Sequence, residues 1–189
     1  NKQRGRQQVI NANGRRTGGG GRAVAPEGEE DRADALQGFV VMEDLMDNRG
    51  RAVADKTGAA AACPTIGAAA GIAITVAACI AGDDLNLVER MPCTDGLPNE
   101  VIIQKGHAIN FGGNVTQMIR LGGGVPVEVG CANKVMVENI ELAINERTAA
   151  LIYIKSHHAV QKGMQSIEAM LAIAHKHNLP LILDAAAEE

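Results

Sequence analysis

Short apolar segments alternate with amphipathic segments from residue 101 to the end of the chain. The apolar runs 101–103, 125–129, 149–154 and 181–183 have the length of buried strands. Between them, 114–121, 137–144 and 166–177 carry apolar residues at helical spacing, with Ser166 as a suitable N-cap. This alternation is typical of a parallel sheet with helices on both faces. It predicts a three-layer α/β fold, a mostly parallel sheet flanked by helices, and leaves the strand order open.

The chain before residue 101 is less regular. Residues 40–58 predict one helix, and 66–80 predict a second that ends at Gly82-Asp83-Asp84. The small residues at 59–65 between them form either a short strand or a loop. We expect a partly irregular N-terminal arm at 1–38, with a glycine run at 18–21, followed by a partial large domain at 39–189.

Aromatic residues make up only 2% of the chain, although hydrophobic residues make up 46%, so the core must be aliphatic. The net charge of −4 gives no general argument for nucleic-acid binding. Basic residues do cluster near the N-terminus, where they form either a solvated arm or an arm that reaches a phosphate. They are Lys2, Arg4, Arg6, Arg15, Arg16 and Arg22.

The chain has four cysteines, which form no Cys-x-x-Cys pair and have no histidine at ligand spacing: Cys63, Cys79, Cys93 and Cys131. We expect no metal site and interpret them as buried free thiols in a reducing cytoplasm. The N-terminus has no apolar signal segment, and the apolar run 67–81 is too short to span a membrane. The sequence therefore predicts a cytoplasmic protein with no membrane partner.

Polar side chains follow several predicted strands. In a parallel sheet the carboxyl ends of the strands meet at one edge, where ligands bind. A carboxylate there needs a partner such as a protonated ring nitrogen, and a histidine can stack on a flat ring or carry a proton. The residues at this edge are His107, Ser156, His157, His158 and Asp184. An ordinary exposed loop histidine would also explain His107, and adjacent histidines in an extended segment are expected to point in different directions.

A loop of mostly small residues, Thr65-Ile66-Gly67-Ala68, precedes the second predicted helix. Its backbone amides and the Thr65 hydroxyl could hold an anion at the helix N-terminus. Close packing of helices explains glycine and alanine there equally well. No Gly-Lys-Ser/Thr follows, so the loop is not a P-loop.

These segments together resemble the large domain of the fold-type-I pyridoxal-phosphate (PLP) enzymes of the selenocysteine synthase superfamily. Within it, the sequence is most similar to the branch of D-glucosaminate-6-phosphate ammonia lyases. The resemblance is strong after residue 101 and weaker before residue 65. It rests on the segments 9–15, 39–45, 67–72, 104–107, 153–158 and 183–189, which read VINANGR, FVVMEDL, GAAAGI, QKGH, YIKSHH and LDAAAEE.

The resemblance implies PLP as the cofactor and assigns roles to the residues around it. Thr65 and the amides of Gly67 and Ala68 would hold the cofactor phosphate. His107 would stack on the pyridine ring. Asp184 would pair with the ring nitrogen and keep it protonated, which makes the ring an electron sink.

Other residues are implied to lie near the substrate. Ser156 would contact the cofactor, and the catalytic candidates His157 and His158 would lie near its O3′ or the substrate. Asn11 and Arg15 would reach the substrate site, where an arginine suits a carboxylate or phosphate. The resemblance implies no metal ligand.

The chain departs from the family pattern in several places. Ile66 stands where a hydroxyl residue is usual, which removes one phosphate donor. The segments 112–116 and 131–133 differ from those of selenium transferases, which disfavours selenium transfer and the tRNA that it needs. The family's cofactor-binding lysine lies further along the chain than Asp184, so we expect the sequence to be truncated before that lysine and inactive alone.

The resemblance implies a PLP-dependent ammonia lyase that converts a 2-amino sugar acid phosphate to a 2-keto-3-deoxy acid phosphate and ammonia. It also implies a homo-oligomer that binds a small phosphorylated amino acid or sugar acid and no nucleic acid. Two alternatives stay open: a selenium transferase acting on seryl-tRNA, and a non-catalytic α/β module that lacks the lysine.

Overall fold

A computed structural model describes residues 26–35 and 38–186. The chain divides into two compact units, Asn1–Pro64 and Thr65–Glu189. The substrate-binding candidates Asn11 and Arg15 lie outside the described residues, as do the other basic residues of the N-terminus. The division into an arm at 1–38 and a PLP-binding domain at 39–189 stays a prediction.

The described part of the first unit contains two helices, α1 (Pro26–Ala35) and α2 (Met42–Thr57). α2 confirms the helix predicted at 40–58. It ends at Gly58, whose φ of 73° suits glycine and whose N–H donates to the carbonyl of Ala54. α1 lies in the segment for which the sequence predicts a partly irregular arm. Proline at its first position suits a helix start, because the N–H that proline lacks has no helical partner there.

The second unit is built on a four-stranded sheet in the order β2-β1-β3-β4. Its strands are β1 (Glu100–Gln104), β2 (Val125–Val129), β3 (Thr148–Ile154) and β4 (Leu181–Asp184). All pairings are parallel, which confirms the α/β prediction. The segment 59–65 is a loop rather than a strand.

β2 lies at one edge of the sheet that the described residues form. Pro126 pairs in register with Val101 of β1. The N–H of Val125 donates to the carbonyl of Asn99 at 2.8 Å, so it points toward β1. Because successive backbone nitrogens of a strand face opposite sides, the nitrogen of Pro126 faces away from β1.

Helices cover both faces of the sheet. On one face, α3 (Ala68–Ala81) and α5 (Val115–Leu121) pack with Ile103 and Ile152 in an aliphatic cluster. On the other face, α6 (Val137–Glu141) and α7 (Ile167–Lys176) pack with Ile102 and Leu151. Alternate residues of β1 and β3 therefore point to opposite faces, as strand geometry requires. The arrangement confirms the three layers.

Polar side chains cap several helices of the second unit. Ser166 accepts a hydrogen bond from the N–H of Ala169 at 3.2 Å at the start of α7, as the sequence predicts. The sequence analysis missed a short helix, α4 (Leu85–Arg90), which has Asp84 as its N-cap. Asp84 accepts from the backbone of Asn86 and Leu87, so it starts this helix in addition to following the end of α3.

A charged cluster connects α6 to α7. Glu141 Oε2 lies 2.6 Å from Nε2 of His177, and Glu141 Oε1 lies 2.9 Å from Nζ of Lys176. The hydrogen bond from His177, followed by that from Lys176, lowers the pKa of Glu141. His177 therefore has a structural role at the end of α7.

All four cysteines are unpaired. Cys79 is partly buried, and burial raises the pKa of its thiol. The expectation of buried thiols is wrong for Cys63, Cys93 and Cys131, which are exposed because they lie in loops. Within residues 26–35 and 38–186, no helix has the length and apolarity needed to cross a membrane. The same residues contain no cluster of His, Cys, Asp or Glu side chains suited to a metal ion.

Candidate functional site

The carboxyl ends of β1, β3 and β4 lie next to one another at one edge of the sheet. β1 continues into a 3₁₀ turn, Lys105–His107, while β3 continues into a loop that carries the two adjacent histidines. β4 ends at Asp184, which pairs in register with Ile154 of β3. The fold thus places the candidates that follow three different strands at the same edge.

His107 is fully buried at this edge, with 0% of its surface exposed. Its Nδ1 accepts a hydrogen bond from the N–H of Ile154 at 3.3 Å, and its ring meets that of Tyr153 edge-on with centroids 4.6 Å apart. Nε2 has no hydrogen-bond partner among the described residues. Burial lowers the pKa of His107 to about 4, an effect that the backbone of Val160 partly offsets. The imidazole is therefore neutral near pH 7.

The burial of His107 bears on the stacking role that the resemblance implies. The sequence suggests a histidine in an open loop after a strand, but neither face of the ring is exposed within the described part of the second unit. Stacking on a cofactor would require neighbouring side chains to give way. The stacking role of His107 stays a prediction.

Asp184 stands at the carboxyl end of β4 and is partly exposed. Its carbonyl accepts a hydrogen bond from the N–H of Lys155 at 2.8 Å. Its Oδ1 accepts from the N–H of Ala186 at 3.0 Å, which holds the carboxylate toward the end of the strand. A carboxylate in this position can accept a further donor from a ligand in the crevice beyond the sheet.

The segment that follows β3 turns sharply instead of staying extended. The N–H of Ala159 donates to the carbonyl of Ser156 at 3.1 Å, and the N–H of His158 donates to the Ser156 hydroxyl at 3.1 Å. The rings of His157 and His158 consequently lie 3.8 Å apart, inclined by 47°. The expectation that they point in different directions is wrong, because it assumes an extended backbone.

Two residues that the sequence analysis did not single out contact this turn. Phe111, in the loop after β1, stacks on His158 with ring centroids 3.5 Å apart and planes 16° apart. Gln161 donates from its amide nitrogen to the carbonyls of Ile154 and Ser156, both at 3.0 Å. The rarity of aromatic residues in this chain is the one sequence signal that could have pointed to Phe111.

The loop before α3 has its own local geometry. The Thr65 hydroxyl donates to the carbonyl of Gly67 at 3.1 Å, so it stabilises the loop. No side chain caps the N-terminus of α3, and Gly67 has a φ of 150°, which favours glycine. A Cβ added at Gly67 would meet nothing within 4 Å, so the backbone around it is open. The first amides of the helix, including that of Ala68, therefore have no side-chain cap and could bind an anion.

The contacts join some predicted site residues directly. Ile154 is the common neighbour of His107 and Asp184, through a hydrogen bond to the first and register with the second. α3 packs against β3 and β4, so its loop belongs to the same unit as the carboxyl edge. The convergence of Thr65 and Gly67 with the edge residues on one ligand stays a prediction.

Residues 9–188 match the protein family SelA, described as L-seryl-tRNA selenium transferase. The chain belongs to the SelA family. This confirms its membership of the PLP-dependent selenocysteine synthase superfamily that the sequence motifs suggest. The match covers most of both compact units and every residue proposed for the site.

Two relatives resemble the chain over nearly its whole length. D-glucosaminate-6-phosphate ammonia lyase from Salmonella typhimurium is 48% identical over 187 residues, which are 99% of this chain and 51% of that protein. A Streptomyces protein named 5′-C-glycyluridine monooxygenase-decarboxylase is 42% identical over 95% of this chain and 46% of its own length. The chain thus spans about half the length of these SelA-family relatives.

A solved structure of D-glucosaminate-6-phosphate ammonia-lyase superposes on the chain with a TM-score of 0.95. The two sequences are 48% identical, and the superposition covers 100% of this chain and 51% of the solved chain. More distant SelA-family members include the L-seryl-tRNA(Sec) selenium transferase of Aquifex aeolicus, 31% identical over 46% of this chain and 20% of that protein. The chain is therefore more similar to the ammonia lyase than to this selenium transferase.

Proposed function

We propose that this SelA-family chain forms part of a PLP-dependent ammonia lyase. The substrate is a 2-amino sugar acid phosphate of the D-glucosaminate 6-phosphate type, and the products are a 2-keto-3-deoxy acid phosphate and ammonia. The observation that carries the proposal is the 48% identity with the Salmonella ammonia lyase over 99% of the chain, which includes the carboxyl edge of the sheet. We also propose that the protein acts in the cytoplasm as a homo-oligomer.

The residues of the second unit fit PLP on two observations. The N-terminus of α3 is uncapped by side chains and open around Gly67, which suits a phosphate. Asp184 places a partly exposed carboxylate at the end of β4, which suits a protonated ring nitrogen. Ser156 belongs to the turn after β3, at the same edge, and completes the proposed cofactor set with Thr65.

When bound, PLP would supply an electron sink that makes the α-carbon proton of the substrate more acidic. Asp184 would hold the proton on the ring nitrogen, because a carboxylate stabilises the charged form of its partner. His157 or His158 would move a proton at the substrate. Their contact and the stacking of Phe111 limit the orientations of the imidazoles before substrate binds.

Asn11 and Arg15 would bind the polar ends of the substrate. A guanidinium can form paired hydrogen bonds with a carboxylate or a phosphate, and the proposed substrate carries both groups.

The test is turnover by the intact protein loaded with PLP. D-Glucosaminate 6-phosphate is supplied, and the release of ammonia and of the 2-keto-3-deoxy acid phosphate is measured. Asp184→Asn should lower kcat by at least about 100-fold, because the ring nitrogen loses its charged partner. The matched control is Asp83→Asn, which changes an exposed aspartate outside the site and should leave kcat unchanged.

Other outcomes identify the alternatives. Salt-sensitive binding of seryl-tRNA in a mobility-shift assay, without ammonia release, would favour a selenium transferase. Turnover of a glycyluridine in place of the sugar acid would contradict the proposed substrate. An intact protein that binds no PLP would favour a non-catalytic α/β module.

A further inference from the structure

β3 donates backbone hydrogen bonds to its two neighbours in alternation. On the β4 side, the N–H of Leu151 donates to the carbonyl of Pro180 at 3.0 Å, and that of Lys155 donates to the carbonyl of Asp184 at 2.8 Å. The N–H groups of the even-numbered residues therefore point toward β1. Ile154 is the last of these in the strand.

His107 supplies the acceptor for this last N–H group. The pairing of β1 with β3 ends at Ile103 and Ile152, and β1 is then followed by the 3₁₀ turn. Nδ1 of His107 accepts from the N–H of Ile154 at 3.3 Å, from a position that is fully buried. A side-chain nitrogen thus extends the β1–β3 ladder beyond the end of β1. Without it, a buried N–H would be left without a partner, which is costly.

Asp184 depends on the same end of β3. It pairs in register with Ile154, and the next N–H along the strand, that of Lys155, donates to its carbonyl. A shift of the Ile154 backbone would therefore move Lys155 and, through its hydrogen bond, Asp184. We propose that His107 is a positioning residue for Asp184, acting through an Nδ1 acceptor that completes the β1–β3 ladder at Ile154. The role of Asp184 toward the cofactor rests on the proposed function.

The proposal fixes the tautomer of His107. A neutral imidazole that accepts at Nδ1 carries its proton on Nε2. Protonation of Nδ1 would place two N–H donors against each other in a site without solvent. The low pKa of His107 agrees with this geometry, because it keeps the ring neutral.

Three substitutions separate the acceptor from the ring in the intact protein. His107→Asn keeps an acceptor oxygen at the δ position, and His107→Leu has the same branching without one. His107→Phe keeps an aromatic ring without an acceptor. Deuterium exchange of the Ile154 amide, resolved to single residues, should accelerate about tenfold in the Leu and Phe variants and less than about threefold in the Asn variant.

PLP affinity, measured by spectral titration, reports the consequence for Asp184. It should weaken about tenfold in the Leu and Phe variants and be largely rescued in the Asn variant. If Phe retains affinity and Asn loses it, the ring matters rather than the acceptor, and the positioning role is overturned. Equal Ile154 exchange in the Asn and Leu variants also overturns it.

Imidazole ¹⁵N shifts of the unsubstituted protein give a test that needs no variant. An Nε2-protonated tautomer is expected, and an Nδ1-protonated one overturns the proposal even if the variants fail to fold. If the intact protein binds no PLP, the proposed function fails. Ile154 exchange and the His107 tautomer would then still decide whether the ladder contact exists.

Discussion

The hydroxyl of Tyr153 donates a hydrogen bond of 2.7 Å to Oε1 of Gln161. The amide nitrogen of the same glutamine donates to the carbonyls of Ile154 and Ser156. One side chain therefore connects the buried end of β3 to the turn that carries the two adjacent histidines. Gln161 therefore stabilises the turn on which those histidines stand.

Removing this connection should destabilise the second unit. Gln161→Leu should lower the free energy of unfolding by about 1–3 kcal/mol, because it leaves the Tyr153 hydroxyl and two carbonyls without their partner. Tyr153→Phe removes only the shared bond and should cost about 1 kcal/mol. Chemical denaturation of both variants and of the double variant measures the coupling. Additive losses of the free energy of unfolding would show that the two groups act independently. Gln117→Leu, on the exposed surface of α5, is the control.

Stability should depend on pH through His107. Its folded pKa of about 4 lies below the unfolded value, so the unfolded chain binds a proton first as the pH falls. The contribution of the neutral His107 to the free energy of unfolding is therefore fully present above about pH 6.5. The free energy of unfolding then decreases by up to about 3 kcal/mol as the pH falls toward 4. Urea unfolding across this range measures the slope. His107→Asn should flatten it, and an unchanged slope in that variant would assign the effect to another group.

Gly106 leaves no space for a side chain in the turn that carries His107. A Cβ there would lie 2.8 Å from the carbonyl oxygen of Ala132 and 2.9 Å from both the Met164 sulfur and Cβ of Val160. Gly106→Ala should cost about 1–3 kcal/mol, because backbone and packed side chains must move. Thermal unfolding compares the melting temperature of this variant with that of Gly38→Ala, where the added Cβ would meet nothing within 4 Å. Equal melting temperatures for the two variants would contradict this packing.

The contact between α6 and α7 should weaken in acid. The hydrogen bonds from His177 and Lys176 lower the pKa of Glu141, so their stabilising effect is complete above the unfolded carboxyl pKa of about 4.3. It is lost as the pH falls through the lower folded value. Glu141→Gln should reduce the melting temperature slightly at pH 7, with a difference that narrows below pH 4. Glu146→Gln, on the exposed loop before β3, should change nothing at either pH.

The sheet could be predicted because its strands are continuous apolar runs in a chain with few aromatic residues. Each observed strand matches its predicted run within one residue at either end. α4 escaped prediction because Asp84 has two local roles, following one helix and capping the next. Strand order depends on contacts between segments far apart in the chain, which no local pattern contains.

The sequence places several candidate site residues at one edge of the sheet, but it does not give the geometry around them. The positions after the strands identified His107 and Asp184, since parallel strands end at one edge. Whether His107 is open or buried depends on the fit of Gly106 against residues from distant loops. The stacking of Phe111 on His158 likewise joins two loops that the sequence alone does not bring together.

The outward-facing nitrogen of Pro126 affects how the protein can associate with other chains. An extended peptide that joins a sheet needs an unbroken row of donors and acceptors along the strand that it meets. Proline removes one donor at the second residue of β2, on the side that faces away from β1. Intermolecular strand addition, the first step of many aggregation processes, is therefore disfavoured at this edge of the sheet that the described residues form.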